Sequence, residues 1–156
     1  MKTQKQNHAA EILISMSQDR LLEYDVVVAV GGDGTACEVV TGLLRRSADT
    51  SASNQDTILQ PSSLNIAVIP AGSSNALAYS VHGIDDPCTA AIHLVLGGSV
   101  PLDVGAIHDN HSGSSRFFVT QVSYGHLADT LKKSDKLRWM GPRRYDYAGE
   151  SVFHYS

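Results

Sequence analysis

The sequence contains few residues that could cross-link the chain or anchor it in a membrane. Only two cysteines occur among 156 residues, Cys37 and Cys88, and they are far apart. This excludes a disulfide framework and a zinc-ligand spacing, and it fits a reducing compartment. No apolar run approaches the roughly 20 residues of a spanning helix, and the polar N-terminus does not resemble a signal peptide. We therefore expect a cytoplasmic domain whose contact with membranes is peripheral.

Basic residues are fewer than acidic residues in this chain, and half of them lie in one segment. The net charge of −4 gives no general attraction to nucleic acid, and no nucleic-acid partner is predicted. Residues 132–144, the basic segment, nevertheless hold six of the twelve lysines and arginines. These are Lys132, Lys133, Lys136, Arg138, Arg143 and Arg144. The segment could clamp nucleotide phosphates, contact an anionic lipid surface with Trp139 and Met140, or form only a solvated helix face.

Two units of strand, glycine turn and helix follow one another in the first half of the chain. Apolar runs at 26–30 and 66–69 predict buried strands. Each run is followed by a glycine turn and then by apolar residues at the spacing of a helix. This series is typical of an α/β fold with a parallel sheet, in which ligands bind beyond the carboxyl ends of the strands. Both glycine turns are therefore expected at one edge of the sheet, facing one crevice.

The remaining elements are predicted from local signals. Helices are expected over 2–22, over 35–46, from about Ser74, over 87–96 before Gly97, over 126–140 and from Pro142. Two strands within 99–108 and 115–125 are predicted to form a hairpin around a polar turn. Residues 47–63 are polar and predict a mobile loop.

The first glycine turn, Gly31-Gly32-Asp33-Gly34-Thr35, places one carboxylate at the tip of a strand. Glycines let a backbone approach a ligand, and the N-terminus of the following helix suits phosphate. The spacing matches neither the P-loop nor the dinucleotide fingerprint. Asp33 could cap a helix, hold a metal ion or take a proton, and the pattern alone leaves all three open.

The second glycine turn, Pro70-Ala71-Gly72-Ser73-Ser74-Asn75, has the same character. Small residues admit a polyanion, and backbone and hydroxyl groups can donate to it. The alternative is an ordinary helix start with Ser73 or Ser74 as N-cap. Two such turns at one sheet edge favour a phosphate site over two unrelated caps.

A metal site is not predicted from the histidines. His108 and His111 could form a metal-binding pair, but they fall in the predicted hairpin turn and no third ligand is near them in sequence. Metal ligands in this chain therefore stay unassigned.

Together these residues resemble the catalytic domain of the diacylglycerol, sphingosine and ceramide kinase superfamily. The resemblance is carried by GGDGT followed by Glu38, by IPAGSSNALA, and by the preceding TQKQNHAAEIL. Within the superfamily, YSVHGIDDPCTAAIHLVLGGSVPLDV and SYGHLADTLKKSDKLRWMGPRRYDYAG are most similar to ceramide kinases. The resemblance covers about residues 3–150. Thr35 is closer to the diacylglycerol kinase form of the first motif.

The resemblance implies a transferase of sphingolipid metabolism that moves the γ-phosphate of ATP, with Mg²⁺, to the primary hydroxyl of ceramide. Asp33 would be the general base, and Gly31, Gly32, Gly34 and Asp129 would lie at the lipid head group. Nucleotide contacts would come from Thr3, Gln4, Lys5, Gln6, Asn7, Glu38, Gly72, Ser73, Ser74, Arg138 and Arg144. The alternatives are a sphingoid-base or diacylglycerol kinase, or an inactive chain that binds nucleotide or lipid.

The resemblance also implies a Rossmann-like N-terminal lipid-kinase domain with a C-terminal hairpin and helices. The family has a further strand before these elements and a β-rich domain after them. Residues 1–156 are therefore expected to be a partial catalytic domain that lacks both, with little or no turnover in isolation.

Overall fold

The computed structural model describes residues 1–47, 61–109, 111 and 115–153. Its first unit, Met1–Thr120, contains α1 (His8–Ser15), α2 (Gln18–Leu21), β1 (Val26–Gly31), α3 (Asp33–Ser47), β2 (Asn65–Pro70), α4 (Ala76–His82), α5 (Pro87–Leu96), β3 (Gly105–His108) and β4 (Ser115–Phe118). Its second unit, Gln121–Ser156, contains α6 (His126–Ser134), a 3₁₀ segment (Asp135–Arg143) and α7 (Arg144–Phe153). Most of the predicted loop at 47–63 lies outside the described residues.

β1 and β2 form the parallel pair that the sequence predicts. Their register runs from Val26 opposite Asn65 to Gly31 opposite Pro70, so both strands end at the same level. The two glycine turns therefore start side by side, as the topology predicts. Successive side chains of β1 point to opposite faces of the sheet, one buried and one exposed. Ala29 is 3% exposed, whereas Val30 is 62% exposed.

The core of the first unit lies on the inner face of this sheet. Small and branched apolar side chains of α1, α2, α3 and α4 pack there against the two strands. The cluster consists of Ala9, Leu13, Leu21, Ala29, Ala36, Val39, Leu43, Leu64, Val68, Leu77 and Ala78. Its burial fixes the helix that follows each glycine turn against the sheet edge.

The helix predicted over 2–22 is instead two short helices. α1 ends at Ser15, Met16 is extended, and α2 begins after Ser17. The apolar spacing continues through this break because Leu13 and Leu21 bury their side chains in one core. Spacing alone therefore could not show the interruption.

Side chains of α3 hold both ends of α1. At the first end, Glu38 accepts hydrogen bonds from the backbone nitrogens of Asn7, at 2.7 Å, and Ala9, at 3.2 Å. At the other end, the Arg46 guanidinium donates to the carbonyls of Leu13, Ile14 and Met16. These are the unpaired N–H and C=O groups that every helix leaves at its termini. The two helices therefore run parallel, and side chains of α3 cap both ends of α1.

A glycine allows the same two helices to approach closely. A Cβ built on Gly42 would lie 3.0 Å from the Ala10 Cα and 3.0 Å from the Leu13 Cβ. Any larger residue at position 42 would push the helices apart, which would lengthen the hydrogen bonds at both ends of α1.

The predicted boundaries of α5 are confirmed. The helix starts at Pro87 and stops at Gly97, whose φ of 74° is in the left-handed region. Asp86 caps it, accepting from the Thr89 nitrogen at 2.7 Å and the Thr89 hydroxyl at 2.8 Å. These are the standard signals of a helix start and stop.

The Asp86 cap gives a contribution to stability that depends on pH. Hydrogen bonds from the backbone and side chain of Thr89 lower the pKa of Asp86 below its ordinary value of 3.8. A group with a lowered folded-state pKa stabilises the fold above its unfolded pKa, and the stabilisation disappears as the pH falls through the folded value. Between about pH 6 and about pH 3, the free energy of unfolding in urea should therefore fall further for the wild type than for Asp86→Asn. Equal losses would contradict this assignment.

β3 and β4 form the predicted antiparallel hairpin, with shorter strands than the sequence indicates. Gly105 pairs with Phe118 and lies beneath its ring, where a Cβ would overlap the ring carbons. α3 is bonded to β4, because the Cys37 thiol lies 3.0 Å from the Phe117 carbonyl and Arg45 donates to the Ser115 carbonyl. Burial raises the pKa of the Cys37 thiol.

In the second unit, the helix predicted over 126–140 ends at Ser134, and α7 begins at Arg144 rather than Pro142. Leu137 and Gly141 break the helical conformation between them, Gly141 with a φ of 60°. Among the helices of the described residues, none is long and apolar enough to cross a membrane.

Candidate functional site

The two glycine turns meet backbone to backbone. The Ala71 nitrogen donates to the Gly31 carbonyl at 3.0 Å. A Cβ on Gly72 would overlap the Gly32 Cα and lie 3.0 Å from the Gly32 nitrogen. Because the obstructing atoms are backbone, they cannot rotate away. The turns that the sequence assigned to one crevice are thus joined, and glycine at position 72 is required sterically.

Asp33 lies in the first turn of α3, and its carboxylate faces α4 rather than its own helix. Oδ2 accepts a hydrogen bond from the Ala76 nitrogen at 3.0 Å, and Oδ1 accepts one from the Leu77 nitrogen at 2.9 Å. The carboxylate therefore caps a helix that begins 43 residues later. A carboxylate has roughly four lone-pair sites. Two amide bonds leave Asp33 able to accept from a further donor.

Asn75 is the N-cap residue, directly before α4. It is only 5% exposed and has a φ of 48°, a left-handed conformation that asparagine tolerates better than most residues. Its side chain does not cap its own helix. Instead Oδ1 accepts from the Gly72 nitrogen at 2.8 Å, and Nδ2 donates to the Gly72 carbonyl at 3.3 Å. This side chain therefore closes the second glycine turn.

The prediction that Ser73 or Ser74 is the N-cap of this helix is wrong. Both serines are exposed in the turn, and Asn75 occupies the N-cap position. The physical reason is that Asp33 already satisfies the amides of Ala76 and Leu77. The local rule for N-caps does not consider an acceptor supplied by another helix.

The N-terminal residues predicted to contact nucleotide lie directly before α1. Thr3, Gln4, Lys5, Gln6 and Asn7 are exposed, and Asn7 is bonded through its backbone to Glu38. Lys5 also pairs with Glu11 at 2.7 Å. The structure thus brings Asn7 and Glu38 together, and a contact of these residues with nucleotide stays a prediction.

Gly34 marks an open side of the first turn. A Cβ built on it would have no atom within 4 Å, in contrast to Gly32 and Gly72. Gly34 is exposed, whereas Asp33 beside it is half-buried. A bulky group could therefore approach Asp33 from the Gly34 side without steric hindrance from residue 34.

The other predicted site residues belong to the second unit. Asp129 lies in the first turn of α6. Arg138 pairs with Asp135 at 3.1 Å, and Arg144 donates to the Tyr145 hydroxyl at 2.7 Å and lies over its ring. Assignment of these three residues to head group or phosphate stays a prediction.

The histidines of the first unit make hydrogen bonds to protein atoms. His108 Nδ1 lies 2.7 Å from the Ser115 hydroxyl, and His111 donates from its backbone to Asp109. Within the part of the chain that the structure describes, no three His, Cys, Asp or Glu side chains converge as a metal site.

Sequence reasoning did not assign a role to Asn75, and it missed Asp85 altogether. Asp85 lies between α4 and α5, and its Oδ1 and Oδ2 lie 3.0 and 3.2 Å from the Asn75 Nδ2. No local signal could have found this bond, because it depends on how the chain turns after α4.

Comparison with known proteins places this arrangement in a family. The model of the diacylglycerol kinase catalytic domain matches residues 1–107. Human ceramide kinase is 41% identical over 154 residues, which are 97% of this chain and 28% of that protein. The sphingoid long-chain bases kinase 1 of Arabidopsis thaliana is 38% identical over 150 residues, 96% of this chain and 18% of that protein. The chain thus spans less than a third of either relative.

A solved structure supports the fold. "A putative diacylglycerol kinase from Bacillus anthracis str. Sterne" has a TM-score of 0.50 and 21% identity, over 84% of this chain and 38% of that one. This likeness confirms the α/β fold with a parallel sheet. The family match covers more than half of the chain and includes both glycine turns, Asp33 and Asn75. This protein therefore belongs to the diacylglycerol kinase catalytic domain family.

Proposed function

We propose that the protein is the ATP-using part of a lipid kinase, which phosphorylates the primary hydroxyl of ceramide to give ceramide 1-phosphate. The family and the 41% identity to human ceramide kinase support the proposal. The observation that carries it is the setting of Asp33. Its carboxylate is held by two backbone amides beside two joined glycine turns, and the Gly34 side is open.

Asp33 is proposed as the general base. The amides of Ala76 and Leu77 keep the carboxylate in one orientation, and its remaining lone pairs can accept the proton of a lipid hydroxyl. Removal of that proton at the transition state typically contributes about 10²–10⁴-fold to the rate. The open side at Gly34 would admit the lipid head group, with Gly31 and Gly32 beneath it.

ATP supplies the phosphoryl group when it is bound. Candidates on this chain for holding it are the exposed hydroxyls of Ser73 and Ser74, the segment 3–7, and Glu38. Magnesium in kinases is held by one or two carboxylates together with phosphate oxygens and waters. Glu38 provides a carboxylate of that kind beside Asn7, which suits a nucleotide-bound magnesium. Arg138 and Arg144 remain candidates for neutralising phosphate charge.

Peripheral contact with a cytoplasmic membrane surface is also proposed. In the second unit Trp139 is 82% exposed and lies inside the basic segment, and Tyr124 is 99% exposed. Lysine and arginine attract anionic lipid, and exposed aromatic rings suit the membrane interface. Both features support a lipid substrate that is presented in a bilayer.

A second substrate class is favoured by one observation. A plant relative at 38% identity is named a sphingoid long-chain bases kinase, so a similar sequence occurs in a protein named for a different lipid. Sphingosine or diacylglycerol is therefore the alternative acceptor. A non-enzymatic chain that binds nucleotide or lipid is the alternative of another class.

A lipid panel tests the proposal. A chimaera would carry this chain in place of the aligned 154-residue segment of human ceramide kinase, and would be offered ceramide, sphingosine and diacylglycerol with labelled ATP. We expect ceramide to be phosphorylated fastest, and little or no turnover by the 156-residue chain alone. Faster turnover of another lipid would change the substrate. A folded chimaera that binds ATP and phosphorylates none of the three would favour the non-enzymatic alternative.

A further inference from the structure

Asp85 makes an unusual contact for an exposed carboxylate. Both of its oxygens lie within 3.2 Å of one atom, the Nδ2 of Asn75, which belongs to a side chain that is almost fully buried. A hydrogen bond to an ionised acceptor is stronger than a neutral one. Asp85 therefore holds the outer end of Asn75, whose inner end bonds Gly72.

The orientation of the Asn75 amide follows from its partners. The Gly72 N–H can only donate, so the atom that it meets must be the Asn75 oxygen. The Asp85 carboxylate can only accept, so the atom that it meets must be the Asn75 nitrogen. Reversing the amide would put donor against donor and acceptor against acceptor. Asp85 and Gly72 thus specify one orientation between them.

Asn75 connects this bond to Asp33 in two ways. Its side chain closes the second glycine turn, whose Gly72 lies against Gly32, next to Asp33. Its left-handed backbone directs the next two residues, Ala76 and Leu77, whose amides hold the Asp33 carboxylate. A rotation of Asn75 would therefore displace both supports of Asp33 together.

We propose that Asp85 is a positioning residue for Asp33, and that it acts through Asn75. The inference rests on the proposed function for its catalytic meaning, but the positioning can be measured without activity. Without Asp85, the Asn75 Nδ2 would lose its charged partner while the side chain stays buried. A displacement of about 1 Å in a reacting group can cost roughly 10²-fold in rate. We expect a smaller loss, about 10-fold in kcat, because the Gly72 bonds remain.

The direct test follows the Ala76 and Leu77 amides of the 156-residue chain by NMR as the pH is lowered. In the wild type, the shifts of these amides should change together with the carboxyl carbon of Asp33, because they are hydrogen-bonded to it. In Asp85→Ala this linked change should be largely lost. Asp85→Asn should restore at least half of it, since its side-chain oxygen can still accept from Asn75.

Asp86→Ala is the matched control. It removes the neighbouring aspartate, which caps α5 through Thr89 and does not bond Asn75. The linked change at Ala76 and Leu77 should survive in this variant. Its loss in Asp86→Ala to the same extent as in Asp85→Ala would overturn the proposal, because the effect would then be general loosening.

A second variant keeps the proposal testable where Asp85→Ala does not fold. Asn75→Gly retains a residue that accepts the left-handed backbone but removes every side-chain bond to Gly72 and Asp85. It should also lose the linked change at Ala76 and Leu77. An unaltered response in Asn75→Gly, or in a folded Asp85→Ala, would overturn the positioning role.

Kinetics of the chimaera separate this proposal from the proposed function. Asp85→Ala should lower kcat for lipid phosphorylation about 10-fold. It should leave KM for ATP within about 2-fold, because the bonds of Asn75 to Gly72 still close the second glycine turn, which carries Ser73 and Ser74. A change confined to KM would overturn the role. A wild-type chimaera that phosphorylates no lipid would contradict the proposed function, while the NMR comparison would still decide the positioning of Asp33.

Discussion

Asp33→Ala in the active chimaera is expected to lower lipid phosphorylation by about 10²–10⁴-fold, with the chain still folded. The variant removes the carboxylate of the first glycine turn and leaves the Gly34 side open. Measurement requires turnover of ceramide with labelled ATP at saturating concentrations of both substrates. Turnover within tenfold of the wild type would show that Asp33 is not the base.

The same variant also removes the cap of α4, so stability must be measured beside activity. Loss of a helix cap typically costs about 1 kcal/mol, which is small against the roughly 5–15 kcal/mol of a folded domain. Circular dichroism should therefore show native helix content at the assay temperature. Asp86→Ala serves as the comparison, because it removes the cap of α5 and should retain most of the activity. Equal losses of activity in the two variants would assign Asp33 to structure alone.

Gly72→Ala is expected to destabilise the chain severely. The new Cβ would overlap the Gly32 Cα and lie 2.8 Å from the Asn75 Oδ1. Overpacking typically costs about 1–3 kcal/mol, occasionally more, and the upper end applies here because a backbone cannot move aside as a side chain can. We expect urea unfolding at much lower denaturant concentration, or a chain that does not accumulate folded.

Gly34→Ala is the matched control for that experiment. A Cβ at position 34 meets no atom within 4 Å, and alanine is favoured over glycine by about 1 kcal/mol within a helix. Its unfolding midpoint should be equal to the wild type or higher. If Gly72→Ala were as stable as Gly34→Ala, the two turns could not be packed backbone to backbone.

The parts of the fold that depend on local signals could be predicted from the sequence. The strands at 26–30 and 66–69, and the helix 87–96 between proline and glycine, appear within one residue of their predicted bounds. Apolar runs specify such strands, and proline and glycine specify the ends of such a helix, without reference to distant residues. The meeting of the two glycine turns was also predictable, because parallel strands end at one edge.

The parts that depend on distant side chains could not be predicted. The sequence singles out Asp33, but its hydrogen-bond partners Ala76 and Leu77 lie more than forty positions away. The cap was therefore assigned to Ser73 or Ser74, which precede the helix in sequence. The break after α1 has the same origin, because Arg46 satisfies the carbonyls that would otherwise continue the helix. The bond between Asn75 and Asp85 is likewise tertiary.

The capping of α1 by α3 has a consequence for local unfolding. An eight-residue helix is far too short to persist alone in water, since isolated helices below about 12–15 residues are marginal. Its first amides and last carbonyls are held by Glu38 and Arg46, so it cannot fray from either end while α3 is intact. We therefore expect α1 and the helix that carries Asp33 to open as one cooperative unit in hydrogen exchange.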